Sequence, residues 1–502
     1  MPAIDPAVAV LVVGAGAMGS GIAQVAARAG HSVYLYDQND AAAARGRAAV
    51  EEDLRFLVGK GRLAEAEAAA TLARIRAVAS LDAAAGAGLA IEAIVERLEA
   101  KRALFLELEG RLGAGAILAT NTSSLSITAL AAPLAHPGRL AGLHFFNPAP
   151  RMALVEVISG LVTDPAVADR LHATASAWGK VPVRARSTPG FIVNRVARPF
   201  YAEGLRALEE GAATAATLDA LLREACGFPM GPFELMDLIG HDVNYAVTSS
   251  VFDAFFGDRR FTPSLLQQEL LLAGRLGRKS GAGFYRYGEG VQRPAATLCA
   301  AQPAPAQVVL VGEADAAPGL AGRLEAAGVA VSRLRAPGVA TLALSDGRTA
   351  TARAAAEGID DLVLFDLALD YATTPRLAIA AADQCGEGVA EVATGALQAA
   401  GIAVSRLDDV AGLIGLRTVC MLVNEAADAV TRGVASAADI DAAMRHGTHY
   451  PLGPLAWGDR LGAGFVAAVL DNLHRHYGDE RYRVSPLIRR RALAGGRFHA
   501  EG

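Results

Sequence analysis

An internal repeat limits the folds that this sequence can adopt. Gly190 to Arg195 (GFIVNR) aligns without a gap with Gly412 to Arg417 (GLIGLR), so Gly190 and Gly412 differ by 222 positions. The same offset relates a set of turn residues and aspartates: Gly211 and Gly433, Asp219 and Asp441, Pro229 and Pro451, Gly231-Pro232 and Gly453-Pro454, Asp237 and Asp459. Glycine and proline mark fixed turns, so their retention at equal spacing indicates a duplicated helical domain.

Each helical copy follows a series of strands and helices. In the first series a buried strand at residues 8–13 leads into GAGAMG (14–19), and a second strand ends at Asp37. Further strands are predicted at 89–94, 117–120, 140–145 and 154–158, and a helical stretch at about 41–75 is broken at 59–61. This alternation is typical of an α/β doubly wound sheet of the Rossmann type.

The resulting domain prediction has five parts. Residues 1–187 form a Rossmann domain, and residues 188–290 form an all-helical domain. Residues 291–305, rich in Ala, Pro and Gln, form a linker. Residues 306–409 form a degenerate Rossmann-like domain, and residues 410–502 form a second, non-catalytic helical repeat.

The glycines after the first strand predict a dinucleotide site. Gly14 permits a tight turn, Gly16 lets the backbone approach a pyrophosphate, and Gly19 permits close packing of helix on strand. Asp37 ends the next strand, where a carboxylate binds the ribose diol of NAD. Gln38 and Asn39 follow it, so no adjacent arginine is offered to a 2′-phosphate. NAD is therefore favoured over NADP, although glycines also cluster in turns without any ligand.

Charge and cysteine use exclude several classes of partner. The formal net charge is −5 and there is no basic block, which argues against nucleic acid. We find no apolar segment long enough to predict a membrane span, and the four separated cysteines suit no disulfide framework or metal site. The sequence starts without a recognisable targeting signal, so we expect a cytoplasmic protein.

A histidine and a glutamate in neighbouring apolar strands suggest acid–base chemistry. His144 lies at the end of a predicted strand, and Glu156 follows 12 residues later inside LVEVI (154–158). An unpaired carboxylate in an apolar strand is costly, so Glu156 should have a partner. A His–Glu pair would give a base that can take a hydroxyl proton while hydride leaves the same carbon. Taken alone, the two residues also fit ordinary packing.

Eight colinear stretches between residues 8 and 287 resemble the L-3-hydroxyacyl-CoA dehydrogenases of fatty-acid β-oxidation. They are GAGAMG (14–19), EAIVERLEAK (92–101), NTSSLSI (121–127), HFFNP (144–148), LVEVI (154–158), STPGFIVNR (187–195), FPMGPFEL (228–235) and GRKSGAGFY (277–285). The resemblance implies an NAD-dependent oxidoreductase that converts a 3-hydroxyacyl-CoA to the 3-ketoacyl-CoA. It implies His144 and Glu156 as the catalytic dyad, Ser123 and Asn194 as catalytic and substrate-binding residues, and these cofactor contacts: Asp37, Glu96, Lys101, Asn147 and Lys279.

Structural alternatives remain for several of these residues. Ser123 and Asn194 could cap helices, and Glu96 could lie in a first helical turn and interact with the helix dipole. The cofactor roles of Lys101 and Lys279 are favoured because only four of the 47 Lys and Arg residues are lysine. A lysine that is kept in such a composition is a candidate for a chemical role. The other two, Lys60 and Lys180, are predicted to face solvent, although Lys60 lies in a region that covers CoA in relatives.

The loop after HFFNP departs from the family. Relatives commonly have a lysine shortly before the Leu-Val-Glu strand, whereas this chain has Arg151-Met152-Ala153. Arg151 is thus a candidate contact for a negatively charged acyl tail, with an exposed loop arginine as the alternative. Long family members with a duplicated tail act on 3-hydroxyadipyl-CoA, in phenylacetate catabolism, or on 3-hydroxybutyryl-CoA. The architecture favours the former, and neither is excluded.

The second half lacks the catalytic features of the first. Its glycine turn reads Val311-Gly312-Glu313-Ala314-Asp315, where acidic side chains would repel a pyrophosphate. Leu416 stands where the first copy has Asn194. We therefore expect the second helical copy to act as a scaffold, either in an internal pseudo-dimer or in a homodimer. A catalytically inactive dinucleotide sensor is a further alternative, disfavoured because His144, Glu156, Ser123 and Asn194 are all present.

Overall fold

A computed structural model describes residues 1–312, 317, 319–336 and 338–499. The predicted acidic turn at Glu313, Ala314 and Asp315 lies outside these residues. The chain divides into two compact units. The first unit comprises Met1–Arg195 and Arg432–Thr448, and the second comprises Val196–Thr431 and His449–Gly502.

Strands and helices alternate in the two α/β parts, as the sequence predicts. The strands in chain order are β1 (Val10–Val13), β2 (Val33–Tyr36), β3 (Ile75–Val78), β4 (Leu89–Glu92), β5 (Ile117–Thr120), β6 (Leu140–Phe145), β7 (Leu154–Ser159), β8 (Val181–Arg186), β9 (Gln307–Val311), β10 (Ala330–Ser332), β11 (Thr341–Leu344), β12 (Leu362–Phe365), β13 (Arg376–Ala381) and β14 (Ala403–Arg406). The central strands β1, β4 and β5 are fully buried, because helices cover both faces of the sheet.

The helices fall into an α/β set and two helical segments. In chain order they are α1 (Ala17–Arg28), α2 (Asp40–Gly59), α3 (Glu65–Ala73), α4 (Leu98–Arg111), α5 (Ile127–Ala131), α6 (Pro165–Ala177), α7 (Val193–Val196), α8 (Arg198–Glu209), α9 (Ala215–Glu224), α10 (Pro232–Ile239), α11 (His241–Ala254), α12 (Leu265–Leu272), α13 (Leu320–Ala326), α14 (Ala350–Glu357), α15 (Val389–Ala399), α16 (Gly415–Thr431), α17 (Ala437–Gly447), α18 (Pro454–Leu461), α19 (Ala463–Tyr477) and α20 (Pro486–Ala494).

The first unit contains an eight-stranded sheet with the order β3-β2-β1-β4-β5-β6-β7-β8. Strand β7 runs antiparallel to β6, and the other neighbouring pairs are parallel. The strand order reverses between β1 and β4, and ligands of such sheets bind at the carboxyl ends of the strands beside this reversal. The predicted doubly wound Rossmann-type sheet is therefore confirmed.

Two strands of this sheet were not expected from the sequence. The prediction extended a helical stretch to residue 75, but the helix ends at Ala73 and Ile75–Val78 forms β3. Residues Val181–Arg186 form β8 at the opposite edge. Edge strands bury less side-chain surface than central ones, so neither carries a continuous apolar run, and Pro182 is tolerated in β8 because edge strands accept proline.

The second unit contains a smaller sheet with the order β10-β9-β11-β12-β13-β14. Strand β13 is antiparallel to β12, as β7 is to β6 in the first sheet. The predicted linker lies beside this sheet, where the Cys299 N–H donates to Val404 O at 2.8 Å. The second α/β part thus repeats the first in reduced form, as predicted.

The two helical copies share backbone detail. Phe191 and its counterpart Leu413 both have positive φ angles, 46° and 52°, which are unusual for large side chains. Within the second unit, α16 of the second copy packs on α8 of the first. Residues from Gly415 to Ala429 in α16 are all buried. This contact agrees with the predicted packing of the second copy against residues 190–287.

One helix of the second copy departs from that prediction. Helix α17 belongs to the first unit and packs on the edge strand β8. The Arg184 N–H donates to the Asp439 carboxylate at 3.4 Å, and the Arg186 N–H donates to Val434 O at 2.8 Å. The second copy therefore covers an exposed sheet edge as well as a helix, which protects that edge from pairing with other chains.

In the described part of the chain, none of the helices has both the length and the apolar character that a membrane crossing requires.

Candidate active site

A cleft of about 660 Å³ lies within the first unit at the carboxyl ends of β1 and β2. Its wall includes Gly16, Asp37, Asn147 and Arg151, four residues that the sequence assigned to cofactor or substrate contacts. It also includes Gln24, Arg45 and Asp53, which sequence reasoning missed because polar side chains on helices carry no motif that marks them as ligand contacts. The cleft therefore coincides with the predicted dinucleotide site.

Each of the three glycines in the turn is required for a different geometric reason. Gly14 has φ of +99°, and a Cβ there would lie 2.4 Å from Ala93 O. A Cβ on Gly19 would lie 1.8 Å from Gly14 O, so helix and turn can pack only with glycine. At Gly16 no described atom lies within 4 Å of an added Cβ. This open space leaves room for a ligand to approach the backbone.

The chain fits a bound dinucleotide at two points of this turn. Helix α1 begins after Gly16 with no side-chain cap and no acidic residue in its first turn, so its first N–H groups are available to phosphate oxygens. The Asp37 carboxylate accepts from the Ala15 N–H at 2.9 Å and from the Asn39 N–H at 3.0 Å. These bonds hold the carboxylate at the end of β2, where it suits the ribose hydroxyls of NAD.

The predicted dyad residues face each other across two strands. His144 in β6 is paired directly with Glu156 in the antiparallel strand β7. His144 Nδ1 lies 2.7 Å from Glu156 Oε2, and the two residues are 6% and 1% exposed. This contact assigns the ring proton to Nδ1. Among the described residues Nε2 makes no hydrogen bond, so it is available to accept a proton from a ligand.

The second oxygen of Glu156 connects the dyad to the helical segment. Oε1 accepts from the N–H groups of Ile192 and Val193 at 3.1 and 3.0 Å. These groups lie at the start of α7, which also carries Asn194, and Asn194 Nδ2 donates to Ser123 O at 3.4 Å. His144, Glu156, Asn194 and Ser123 are thus linked in one network, so the four residues predicted as catalytic lie together.

Glu96 organises the loop that contains Ser123. Its Oε1 accepts from the Thr122 hydroxyl at 2.6 Å and the Ser123 N–H at 2.9 Å, while Lys101 Nζ lies 3.1 Å from Oε2. Burial tends to raise the pKa of Glu96, but Lys101 and the Thr122 and Ser124 hydroxyls lower it below its usual value. Glu96 is therefore a charged anchor for the loop and does not belong to a helical first turn, since α4 begins at Leu98.

Lys101 is buried in an ion-pair network. Its side chain is 1% exposed, and Nζ also lies 2.5 Å from Glu92 Oε1. Glu92, which the sequence reasoning passed over, accepts from the Thr120 hydroxyl at 2.7 Å. A carboxylate at the end of an apolar strand is the same signal that identified Glu156. Because its ammonium is bound to two carboxylates, Lys101 supports Glu96, and its predicted contact with the cofactor stays a prediction.

A lysine predicted to face solvent instead holds the loop after HFFNP. Lys180 Nζ donates to Ala149 O at 2.6 Å and to Met152 O at 2.8 Å. Burial, with a smaller effect of Arg28, lowers the pKa of Lys180 to about 8. Lys180 is therefore half-buried and bound to the loop, a role that the prediction of a solvent-facing lysine did not include. Lys60 is exposed, as expected.

The predicted ligand contacts of Arg151 and Lys279 are not supported by the residues around these two side chains. Arg151 lies in the wall of the dinucleotide cleft, where its guanidinium pairs with Asp53 at 3.1 Å. Lys279 lies in the second unit and pairs with Asp242 at 2.5 Å. The acyl-tail contact of Arg151 and the cofactor contact of Lys279 remain predictions.

The second sheet keeps a carboxylate at its helix junction without a histidine. Asp366 follows β12 and accepts from the N–H groups of Gly415 and Leu416 at 2.6 and 2.9 Å, as Glu156 does from Ile192 and Val193. The sequence has no histidine between His241 and His446. Burial raises the pKa of Asp366, despite these bonds. The second copy thus lacks the base, and the carboxylate that caps its helix lies at the repeat position of His144, 222 residues further on.

Comparison with protein families gives three matches. The model of the 3-hydroxyacyl-CoA dehydrogenase NAD binding domain matches residues 9–188. The model of the 3-hydroxyacyl-CoA dehydrogenase C-terminal domain matches twice, at residues 190–287 and 412–502. A 3-hydroxybutyryl-CoA dehydrogenase reduced Rossmann-fold domain matches residues 342–410.

Individual relatives match over most or half of the chain. The chain is 46% identical to the 3-hydroxyadipyl-CoA dehydrogenase of Escherichia coli K12, covering 96% of this chain and 97% of that one. It is 40% identical to the pig mitochondrial hydroxyacyl-coenzyme A dehydrogenase over 55% of this chain and 90% of that one. A crystal structure of 3-hydroxybutyryl-CoA dehydrogenase from E. coli K12 matches with a TM-score of 0.87 and 45% identity, covering 97% of this chain and 98% of that chain.

Proposed function

The chain belongs to the 3-hydroxyacyl-CoA dehydrogenase family and is an NAD-dependent oxidoreductase, and we propose that it oxidises 3-hydroxyadipyl-CoA with His144 as the catalytic base. The assignment of His144 as the base rests on its 2.7 Å contact with Glu156. The other carboxylate oxygen of Glu156 is held by a backbone N–H group. When bound, NAD accepts the hydride that leaves the substrate carbon.

The proton transfer follows from the orientation of His144. Because Nδ1 donates to Glu156, the free Nε2 takes the proton of the substrate 3-hydroxyl. The Glu156 charge stabilises the imidazolium that forms, as a buried carboxylate does for other catalytic histidines. The His144 ring packs on the rings of Phe146 and Phe191, with centroid distances of 4.5 and 6.0 Å. These contacts restrict the orientation of the imidazole.

Ser123 and Asn194 are proposed to hold the substrate. The Asn194 amide donates to Ser123 O, and the Ser123 hydroxyl lies 3.3 Å from Glu96 Oε1. Both side chains are only partly buried, so they can contact a ligand beside the dyad. We assign to them hydrogen bonds with the hydroxyl and thioester region of the substrate, and to Glu96 the positioning of Ser123.

Replacing Glu156 by glutamine is expected to lower kcat by about a hundredfold or more. The amide oxygen can still accept from Ile192 and Val193, but the charge that supports the imidazolium is lost. Initial rates of NADH formation measure the effect, and thermal unfolding checks the fold. Glu156→Ala should cost more stability than Glu156→Gln, since it also leaves the two N–H groups unpaired. If wild type and Glu156→Gln had equal kcat, the proposed role of Glu156 in the dyad would be contradicted.

The substrate proposal is supported by similarity over the whole chain. The E. coli relative named 3-hydroxyadipyl-CoA dehydrogenase matches through the reduced second sheet and both helical copies. Many relatives that match only the first half, such as the mitochondrial enzyme, lack these parts. The alternative is 3-hydroxybutyryl-CoA, since a solved structure that matches over 97% of the chain bears that description.

A substrate panel separates the two candidates. We expect kcat/KM for 3-hydroxyadipyl-CoA to exceed that for 3-hydroxybutyryl-CoA by about tenfold or more, the range that one charge-assisted contact supplies. 3-Hydroxyhexanoyl-CoA, which has the same six-carbon acyl chain without the distal carboxylate, serves as the matched control. A preference for the four-carbon substrate would favour the alternative.

A further inference from the structure

A cavity of about 190 Å³ lies entirely within the second unit, between α8, α11 and α12. Four guanidinium groups line it, those of Arg198, Arg206, Arg260 and Arg481. The described lining contains one carboxylate, that of the exposed residue Glu209. The cavity therefore carries an excess of positive charge that neither the dinucleotide cleft nor the dyad explains.

Two of these arginines are neutralised by neighbouring carboxylates. Arg206 pairs with Asp479 at 3.1 Å, and Arg260 pairs with Glu425 at 3.1 Å. Arg481 has carboxylates nearby, because it helps to lower the pKa of Glu203 and of Asp479. Arg198 differs, because no carboxylate in the described part of the chain lies within ion-pairing distance of it. Its polar contact is a bond from Nη1 to the Thr248 hydroxyl at 3.0 Å, and the guanidinium lies 4.7 Å from the Tyr201 ring centre.

The burial of Arg198 makes this lack of a counter-ion significant. The residue is 5% exposed, and its Nε atom has no hydrogen-bond partner among the described residues. Burial lowers the pKa of Arg198, although a guanidinium remains charged under ordinary conditions. A buried cation without a partner is strongly unfavourable. An anion in the cavity would remove that cost.

We propose that this cavity binds the carboxylate end of a short aliphatic acid, with Arg198 as the paired cation. A planar carboxylate can accept two parallel N–H bonds from one guanidinium. Apolar side chains such as Leu205, Phe261 and Leu265 share the wall and suit methylene groups. The volume is below the range of pockets for nucleotide-sized ligands, so a short chain fits and a dinucleotide does not.

The carboxylate has two candidate sources. One is a free dicarboxylic acid that binds as a separate ligand. The other is the distal carboxylate of the acyl-CoA substrate, a source that rests on the proposed function. Arg198 follows the proposed substrate contact Asn194 by four residues in the sequence, which is the reason for testing the second source.

The first arm of the test titrates the full chain with adipate, butyrate and inorganic phosphate by calorimetry. Adipate should bind the wild type, and Arg198→Met should weaken this binding by about tenfold or more. Arg223→Met is the matched control, because Arg223 is also in the helical segment but pairs with Glu234 and lies outside the cavity. Without ligand, Arg198→Met should unfold at a temperature no lower than the wild type, since it removes an unpaired buried charge.

The second arm compares kcat/KM for 3-hydroxyadipyl-CoA and 3-hydroxyhexanoyl-CoA. If the cavity takes the substrate carboxylate, Arg198→Met lowers the ratio of the two values by about tenfold, while Arg223→Met leaves it unchanged. If the ligand is a free acid, Arg198→Met weakens adipate binding and leaves the ratio within about twofold.

Failure of the cavity proposal differs from failure of the proposed substrate. A wild type that does not prefer 3-hydroxyadipyl-CoA contradicts the substrate, and the adipate titration still tests the cavity. The cavity proposal is overturned if Arg198→Met alters neither adipate affinity nor the substrate ratio. It is also overturned if phosphate binds the wild type and adipate does not. Should Arg198→Met fail to fold, Thr248→Val, which releases Nη1, is expected to change adipate affinity, and an unchanged value contradicts the proposal.

Discussion

Replacing His144 by glutamine is expected to lower kcat by about three to four powers of ten, while NADH affinity should stay within about twofold of the wild type. Glutamine can occupy the space beside Glu156 but cannot take a proton from a hydroxyl at neutral pH. The dinucleotide cleft is lined by other residues, so its affinity should not depend on the imidazole. Stopped-flow measurement of NADH formation gives kcat, and NADH fluorescence titration gives the affinity.

An exposed histidine provides the control for this variant. His136 lies before β6 and is exposed, so His136→Gln should retain wild-type kcat. If His144→Gln kept more than about a tenth of the activity, His144 could not be the base. A parallel loss of NADH binding would instead indicate that the substitution disturbs the first unit as a whole.

The second large effect is expected on stability, at Arg417. This guanidinium is fully buried and contacts two carboxylates of the first helical copy, Glu203 at 2.5 Å and Glu210 at 2.9 Å. Burial alone would raise the pKa of Glu203, but Arg417 and other arginines hold it below its usual value. Arg417→Met leaves the buried Glu203 carboxylate without its main partner. We therefore expect a loss of about 3–5 kcal/mol in the free energy of unfolding.

Urea unfolding followed by circular dichroism measures this loss. The double variant Glu203→Met/Arg417→Met should recover much of it, because replacing both buried charges by apolar groups removes the unpaired carboxylate. Arg489→Met is the control for an exposed pair, with Asp471, and should change stability by less than about 1 kcal/mol. If Arg417→Met lowered the free energy of unfolding by less than about 1 kcal/mol, this contact would not stabilise the packing of the second helical copy on the first.

The outcome at Arg417 bears on the purpose of the second helical copy. We propose that this copy acts as an internal substitute for a partner subunit, since α16 packs on α8 through buried ion pairs as well as apolar side chains. Arg260 of the first copy pairs with Glu425, as Arg417 of the second pairs with Glu203. Glu425 is the repeat counterpart of Glu203, 222 positions further on. The carboxylates of the two contacts are thus related by the duplication, whereas the arginines are not, because the counterpart of Arg417 is Arg195.

The sequence by itself determined the parts that depend on local geometry. Gly14 and Gly19 could be assigned because positive φ and close backbone approach leave glycine as the tolerated residue. The central strands could be placed because burial on both faces demands unbroken apolar runs. Glu156 could be paired with His144 because a carboxylate in such a strand requires a partner, and the structure has that contact.

The tertiary structure alone decided which distant charges meet. Lys101 is held between Glu92 and Glu96, and Lys180 holds the loop at Ala149. Arg198 lines a cavity and has no counter-ion among the residues that the structure describes. The spacing of these residues along the chain does not identify their partners. The sequence alone does not show whether a charged side chain is exposed to solvent or buried against an opposite charge. The edge strand β8 was missed for a related reason, since α17, more than 200 residues later, supplies its cover. Local sterics can be read along the chain, whereas burial and charge pairing arise only when remote segments pack together.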